Sequence, residues 1–135
     1  MKRILVAALL GLYLLLVSSA LPEGCTARQP IRAAFQEFDV LETRANTTLR
    51  SALAAVIEDM ETARRAMEEI NLSTCDQDVI ESHQRVTDWM DAEITTFSAV
   101  MWNDITDDPQ LKWHVQDGLT KRSLAQAGVD RFVKR

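Results

Sequence analysis

His83 is the residue of this 135-residue chain whose spacing most favours ligand chemistry. It lies seven positions before Met90, so both side chains would point from the same face of one helix. A histidine and a methionine that face each other across a helical bundle are one way to hold haem iron. The sequence has no Cys-x-x-Cys-His motif for covalent haem attachment. We therefore expect a structural histidine at a helix interface, with a haem-holding site as the alternative.

Large aromatic and apolar side chains surround this histidine in the C-terminal half of the chain. They indicate packing between the last two helices, because such side chains dominate burial in small domains. A second interpretation is a groove for an apolar ligand or a partner helix, as methionine-rich surfaces allow. The residues of this possible groove are His83, Trp89, Met90, Phe97, Met101, Trp102 and Trp113.

Sequence signatures of catalysis and of metal binding are missing. The chain has no Gly-x-Ser-x-Gly, no His-Glu-x-x-His and no glycine-rich phosphate loop. A di-metal carboxylate site needs a glutamate three residues before each of two histidines, but Ile80 and Leu111 precede His83 and His114 at that spacing. We expect no catalytic activity, no metal and no other cofactor. The acidic residues around the same segment have the spacing of a solvated helix face: Asp76, Asp78, Glu81, Asp88, Asp91 and Glu93.

The first twenty residues differ in composition from the rest of the chain. A positive start at Lys2 and Arg3 precedes a long apolar run, and Ser18-Ser19-Ala20 then supplies small residues where a signal peptidase cleaves. This three-part order predicts a secretory signal peptide over residues 1–20. An uncleaved membrane anchor is the alternative, because the apolar run approaches the length that spans a bilayer.

Residues 21–135 would then form a single secreted or periplasmic domain. Its formal net charge is −7, because 13 basic residues remain against 20 acidic ones. An acidic chain lacks the electrostatic footprint for nucleic acid, and no basic amphipathic face would bind it to anionic lipid. We expect it to bind another protein or a second copy of itself, as a chaperone, an inhibitor or an assembly component does. A carrier of haem or an apolar ligand near His83, Met90 and the tryptophans is the alternative function.

Helices must position these residues, because glycine and proline are absent from Ile31 to Asp108 and the turns of a sheet depend on them. Apolar residues recur every three or four positions up to Ile70, and again from Val79 to Met101, as in amphipathic helices. The pattern predicts an all-α fold, an up-down bundle of three to four helices. A less regular last helix, which the glycines could divide in two, is expected to bury Leu111, Val115, Leu119, Leu124, Val129 and Phe132.

The two cysteines, Cys25 and Cys75, decide between two architectures. Exported cysteine pairs usually form disulfides, but an unbroken helix over residues 30–70 would be about 60 Å long and would keep them apart. Asn46-Thr47-Thr48 is the weakest helical point, because three poor helix formers follow one another. A turn there joins the cysteines; the alternative is a long antiparallel hairpin that dimerises as a coiled coil. The folded-back bundle would have helices over about 30–45, 48–70, 76–102 and 109–133.

Two asparagines, Asn46 and Asn71, begin the N-glycosylation acceptor patterns Asn-Thr-Thr and Asn-Leu-Ser. Both fall where the apolar pattern predicts helix ends, which is where an acceptor would be accessible. We expect glycans at these two positions if the source is eukaryotic.

Overall fold

The structure, a computed structural model, describes residues 24–102 and 109–132. Within these ranges there are four α-helices and no strand, which confirms the predicted all-α bundle. None of the helices so described is long and apolar enough to cross a membrane. The predicted signal peptide and its cleavage site lie outside the described residues. The elements are α1 (Arg28–Thr47), a 3₁₀ turn (Arg50–Ala52), α2 (Leu53–Glu68), α3 (Gln77–Trp102) and α4 (Pro109–Asp130).

The chain folds back after α1, at the threonines where the sequence predicts the weakest helical point. The hydroxyl groups of Thr47 and Thr48 donate to the carbonyl oxygen of Arg44, at 3.1 and 2.6 Å. These side chains bind the backbone acceptor that another helical turn would use. Thr48 and Leu49 are extended, with ψ values of 138° and 143°. The long unbroken helix is therefore wrong, and Leu49, which would continue its apolar face, is 79% exposed.

A disulfide joins Cys25 to Cys75, with their Cα atoms 4.6 Å apart, as the sequence predicts. Cys25 lies just before α1 and Cys75 just before α3, so the bond places the starts of these two helices side by side. Helices α1 and α3 therefore run in the same direction, and α2 returns between them. The opposite end of the bundle contains the turn after α1 and the end of α3.

Helix α3 is the centre of the bundle, because it packs against α1, α2 and α4, whereas α1 contacts α4 far less extensively. The indole ring of Trp89 lies within this core, 4.8 Å from the ring centre of Phe35 and 4.9 Å from that of Phe38. The ion pair between Arg64 and Asp91, at 2.8 Å, links α2 to α3 on the surface. The largest fully buried side chains are Trp89, Phe38, Ile31, Met60, Met67, Met90, Val79 and Val86.

Helix α4 is one continuous helix, and it packs on α3 through small residues. Gly118, Ala125 and Gly128 are buried, and a Cβ atom at Gly128 would lie 2.9 Å from the hydroxyl oxygen of Ser82. The missing side chains thus allow the two helices to approach closely. Because this small-residue face is turned to α3, the predicted buried face is wrong at three of its six residues, while Val129 is buried and Phe132 packs against the core. The large apolar residues that are exposed instead are Val115, Leu119 and Leu124.

Candidate functional site: the α1/α4 groove

A cavity of about 200 Å³ lies between α1, α3 and α4. It occupies the half of the bundle away from the disulfide, because its residues come from the ends of α1 and α3 and from the first half of α4. We call this cavity and its rim the α1/α4 groove. Its lining residues are Glu42, Asn46, Glu93, Thr96, Phe97, Val100, Val115 and Leu119.

The wall of the α1/α4 groove is apolar and reaches the solvent. Phe97 and Val100 form its floor on α3, and Val115 and Leu119 form its rim on α4. The two rim residues are one helical turn apart, so they lie on the same side of α4. They are 46% and 53% exposed. The close packing of the glycine face against α3 is what leaves these larger side chains beside the groove.

Glu93 is the buried acidic residue of the α1/α4 groove. The expectation that it belongs to a solvated helix face is wrong, because it is only 7% exposed. Its carboxylate fits against Gly118 of α4, where a Cβ atom would collide with Oε1. Among the described residues Glu93 has neither a hydrogen bond nor an ion pair. A carboxyl group in such a place loses much of its hydration without gaining a partner.

Arg122 lies beside the α1/α4 groove, where it pairs with the lining residue Glu42 and ties α4 to α1. Its guanidinium group donates to Asp39 Oδ1 at 2.7 and 3.2 Å and lies 3.5 Å from Glu42 Oε2. It also lies over the ring of Trp89, 6.0 Å from the ring centre. The indole nitrogen of Trp89 is buried with no acceptor among the described residues. Arg122 is therefore held by two acidic residues of α1 and one aromatic ring of α3.

Burial and crowding of like charges change the acidity of the groove. The pKa of Glu93 is raised to about 7, chiefly by burial and then by the charge of Glu42, while Arg122 opposes both. Burial also raises the pKa of Glu42, where Arg122 lowers it and Asp39 raises it. Hydrogen bonding to Asp39 raises the pKa of Arg122, which stays charged. Near neutral pH, therefore, Arg122 beside the groove keeps its positive charge. The carboxyl group of Glu93 gains or loses a proton easily.

The residues that the sequence marks as a possible ligand or partner groove do not come together in one place. Of these, Phe97 is the one that lines the α1/α4 groove. Met101 is partly buried at the end of α3, where its carbonyl oxygen accepts a hydrogen bond from Arg50 at 3.0 Å. The others divide between the core, which contains Trp89 and Met90, and the surface, which contains Trp102 (77% exposed) and Trp113.

His83 lies away from the groove, at the interface of α3 with α2. Its Nε2–H donates to the carbonyl oxygen of Met67 at 2.8 Å. This carbonyl lies in the last turn of α2, where it also accepts from the backbone N–H of Ile70 at 3.3 Å. The bond from His83 links the start of α3 to the end of α2. The two acceptor asparagines, Asn46 and Asn71, are both exposed, and Asn46 lies at the edge of the α1/α4 groove.

A second cleft, of about 270 Å³, lies between α3 and α4 and includes Trp113 and His114. Its carboxylates have partners, in contrast to Glu93. Within the residues that the structure describes, no three His, Cys, Asp or Glu side chains are arranged to hold a metal ion. The pairs in and beside this cleft are Asp88 with Gln84, Asp91 with Arg64, and Asp117 with Lys121.

Glu93 and Gly118 were not predicted as site residues, although their spacing in the sequence marks both of them. Glu93 lies three residues after Met90 and four before Phe97, so it continues the apolar face of α3. Gly118 lies seven residues before Ala125, the spacing of a small-residue face on one side of a helix. An acidic residue in an apolar register, opposite a glycine, is the pattern that would have identified this site.

Comparison with protein-family models, with curated proteins and with solved structures finds no match for this chain. The geometry and charge of the α1/α4 groove are therefore the basis on which a function is proposed.

Proposed function

We propose that this chain is an exported, non-catalytic binding protein that docks a segment of a partner protein in the α1/α4 groove. The observation that carries the proposal is Glu93, a buried carboxyl group without a partner below an exposed apolar rim. Apolar side chains gathered on a surface are typical of interaction sites, and Val115 and Leu119 provide such a rim. The disulfide and the signal-peptide pattern of residues 1–20 support export, because disulfides persist in oxidising compartments.

Charge favours a basic, amphipathic segment as the occupant. The whole chain has a formal net charge of −5, and the groove contains Glu42 and Glu93 in its lining. A second copy of the chain would bring the same negative charge to the interface, and like charges in contact oppose association. A partner complements the groove if it carries apolar residues for the rim and positive charge for Glu42 and Glu93.

The size of the groove favours a side chain of a protein over a free cofactor. Small-molecule sites usually enclose about 300–1,000 Å³, whereas this cavity measures about 200 Å³. The alternative of a haem or apolar-ligand carrier around His83 and Met90 has less support. Met90 is fully buried, and His83 Nε2 is bonded to the carbonyl oxygen of Met67.

Affinity capture from the exported fraction of the native host tests this proposal. The bait is the wild-type chain, a Leu119→Asp variant that places a charge on the groove rim, or a Leu124→Asp variant. Leu124 is a matched control, since it is an exposed leucine of the same helix that does not line the groove. We expect one protein to be recovered equally with wild type and Leu124→Asp, and at least tenfold less with Leu119→Asp. Equal recovery with all three baits, or no recovered protein, would contradict the proposal.

A further inference from the structure

Carboxyl groups outnumber cations around Arg122, beside the α1/α4 groove. The guanidinium group of Arg122 faces three carboxyl groups there, and two of them, Asp39 and Glu42, hold it at 2.7 and 3.5 Å. Glu93 lies within the electrostatic reach of Arg122, but it is not among its ion-pair partners. Lys121, the next cation along α4, is bonded to Asp117 at 2.7 Å. In the described part of the chain, therefore, no cation forms an ion pair with Glu93, and Arg122 acts on it only from beyond ion-pair distance.

On the basis of the proposed function, we propose that the partner inserts a lysine side chain into the α1/α4 groove, with its ammonium group on Glu93. The four methylene groups of lysine would lie against Phe97, Val115 and Leu119. A long basic side chain can bury its stem along an apolar surface while its head reaches a polar group. This occupant matches both chemical features of the groove, the apolar side chains of α3 and α4 and the carboxyl group of Glu93.

The volume of the cavity fits this side chain. An apolar cavity of about 150 Å³ holds benzene, which has six carbon atoms. A lysine side chain has four carbon atoms and one nitrogen, and the groove provides about 200 Å³. The side chain therefore enters without displacing the helices, and the ammonium group reaches the buried end.

The surroundings of the carboxylate favour an ammonium group over a guanidinium group. Oε1 of Glu93 is the atom nearest to the Cβ position of Gly118, so α4 covers that side of the carboxylate. A guanidinium group prefers a fork geometry in which both oxygens accept. An ammonium group is compact and needs one exposed oxygen. Arg122 already occupies the neighbouring space on Asp39 and Glu42 with its own planar group.

Ion pairing would also relieve the cost of leaving Glu93 alone. Burial without a partner disfavours the ionised form of this carboxyl group, which raises its pKa and makes it keep its proton. A cation that enters the groove favours the ionised form and takes the place of the missing hydration. Glu42 and Arg122 are the other charged groups that act on Glu93, and they are paired with each other at 3.5 Å.

Binding of n-butylammonium, the lysine side chain without its backbone, tests this inference. The protein is titrated at pH 8 with butylammonium, butanol, butyrate or butylguanidinium, and the methyl NMR signals of Val100, Val115 and Leu119 report occupancy. We expect butylammonium to bind more tightly than the other three probes. Glu93→Gln should weaken its binding about tenfold or more, because a hydrogen bond to a charged group is lost. Glu61→Gln, an exposed glutamate of α2, is the matched control and should leave the affinity unchanged.

Two results would overturn the inference. One is an equal affinity of wild type and Glu93→Gln for butylammonium. The other is a preference of the wild-type groove for butanol, butyrate or butylguanidinium. The proposed function is tested separately: a partner that is lost with Leu119→Asp but recovered equally with Glu93→Gln would support groove docking and refute the lysine. A partner lost with both variants supports both proposals.

Discussion

Replacement of Glu93 by glutamine should change how stability depends on pH. Burial raises the pKa of Glu93 from 4.5 to about 7, so between these pH values the folded protein holds a proton that the unfolded chain releases. The resulting stabilisation is fully present below pH 4.5 and is lost as the pH rises through 7. Glutamine resembles the neutral carboxyl group in shape and does not ionise. The variant therefore lacks this loss of stability at higher pH.

The size of the effect follows from the two pKa values. One unit of pKa corresponds to about 1.4 kcal/mol, so the rise of the Glu93 pKa from 4.5 to about 7 sets an upper limit of about 3 kcal/mol. Water reaches the open groove and screens part of this energy, so we expect about 2 kcal/mol. The free energy of unfolding of Glu93→Gln, relative to that of wild type, should therefore be about 2 kcal/mol larger at pH 8 than at pH 5, so the variant is the relatively more stable protein at pH 8.

Urea unfolding at a series of pH values from 5 to 8 measures this difference. Wild type, Glu93→Gln and Glu61→Gln are compared, and the exposed Glu61 serves as the control for removing one carboxyl group. The difference between Glu93→Gln and wild type should grow as the pH rises towards 7 and level off above it, while that for Glu61→Gln stays flat. A flat difference for Glu93→Gln, or one that shrinks as the pH rises, would refute the assignment of Glu93 as a buried carboxyl without a partner.

Three further outcomes are expected. Gly128→Ala should lower the free energy of unfolding in urea by about 1–2 kcal/mol, because crowding against Ser82 outweighs the better helix propensity of alanine; an unchanged stability would argue against the close helix contact. Reduction of the bond between Cys25 and Cys75 should lower the melting temperature in calorimetry by more than about ten degrees. The bond closes a loop of 50 residues, worth about 4 kcal/mol, and an unaltered melting temperature would contradict this. The exported product should begin at Leu21 by intact mass, and a product that retains residues 1–20 would support the anchor instead.

The path of the chain could be predicted because it depends on local signals. Asn46-Thr47-Thr48 combines poor helix formers, and the threonine hydroxyls then bind the carbonyl oxygen of Arg44. The disulfide followed from two cysteines in a chain with a signal-peptide pattern. The turn and the disulfide can be predicted without knowing which helices pack together, because both depend on residue types in the sequence.

The site could not be predicted in the same way, because it depends on how closely two helices approach. Apolar periodicity favours burial of the helix face with the largest side chains, so it predicts that Val115 and Leu119 of α4 are buried. In the structure the small-residue face of α4 packs against α3 instead, because its glycines allow a closer approach. The larger residues on the other side are therefore exposed. Glu93 was assigned to solvent because it is charged, although its register is that of the buried face. A glycine on the neighbouring helix, Gly118, is what makes room for its carboxylate.

Titration of the Glu93 side-chain carboxyl by ¹³C NMR tests most directly whether the α1/α4 groove receives a cationic side chain. The measurement is made on the wild-type protein, alone and with saturating butylammonium. We expect a pKa of about 7 for Glu93 in the free protein. With the ligand this pKa should fall by about one to three, because a nearby positive charge favours the ionised form. A pKa near 4.5 in the free protein, or a value that the ligand does not change, would contradict it.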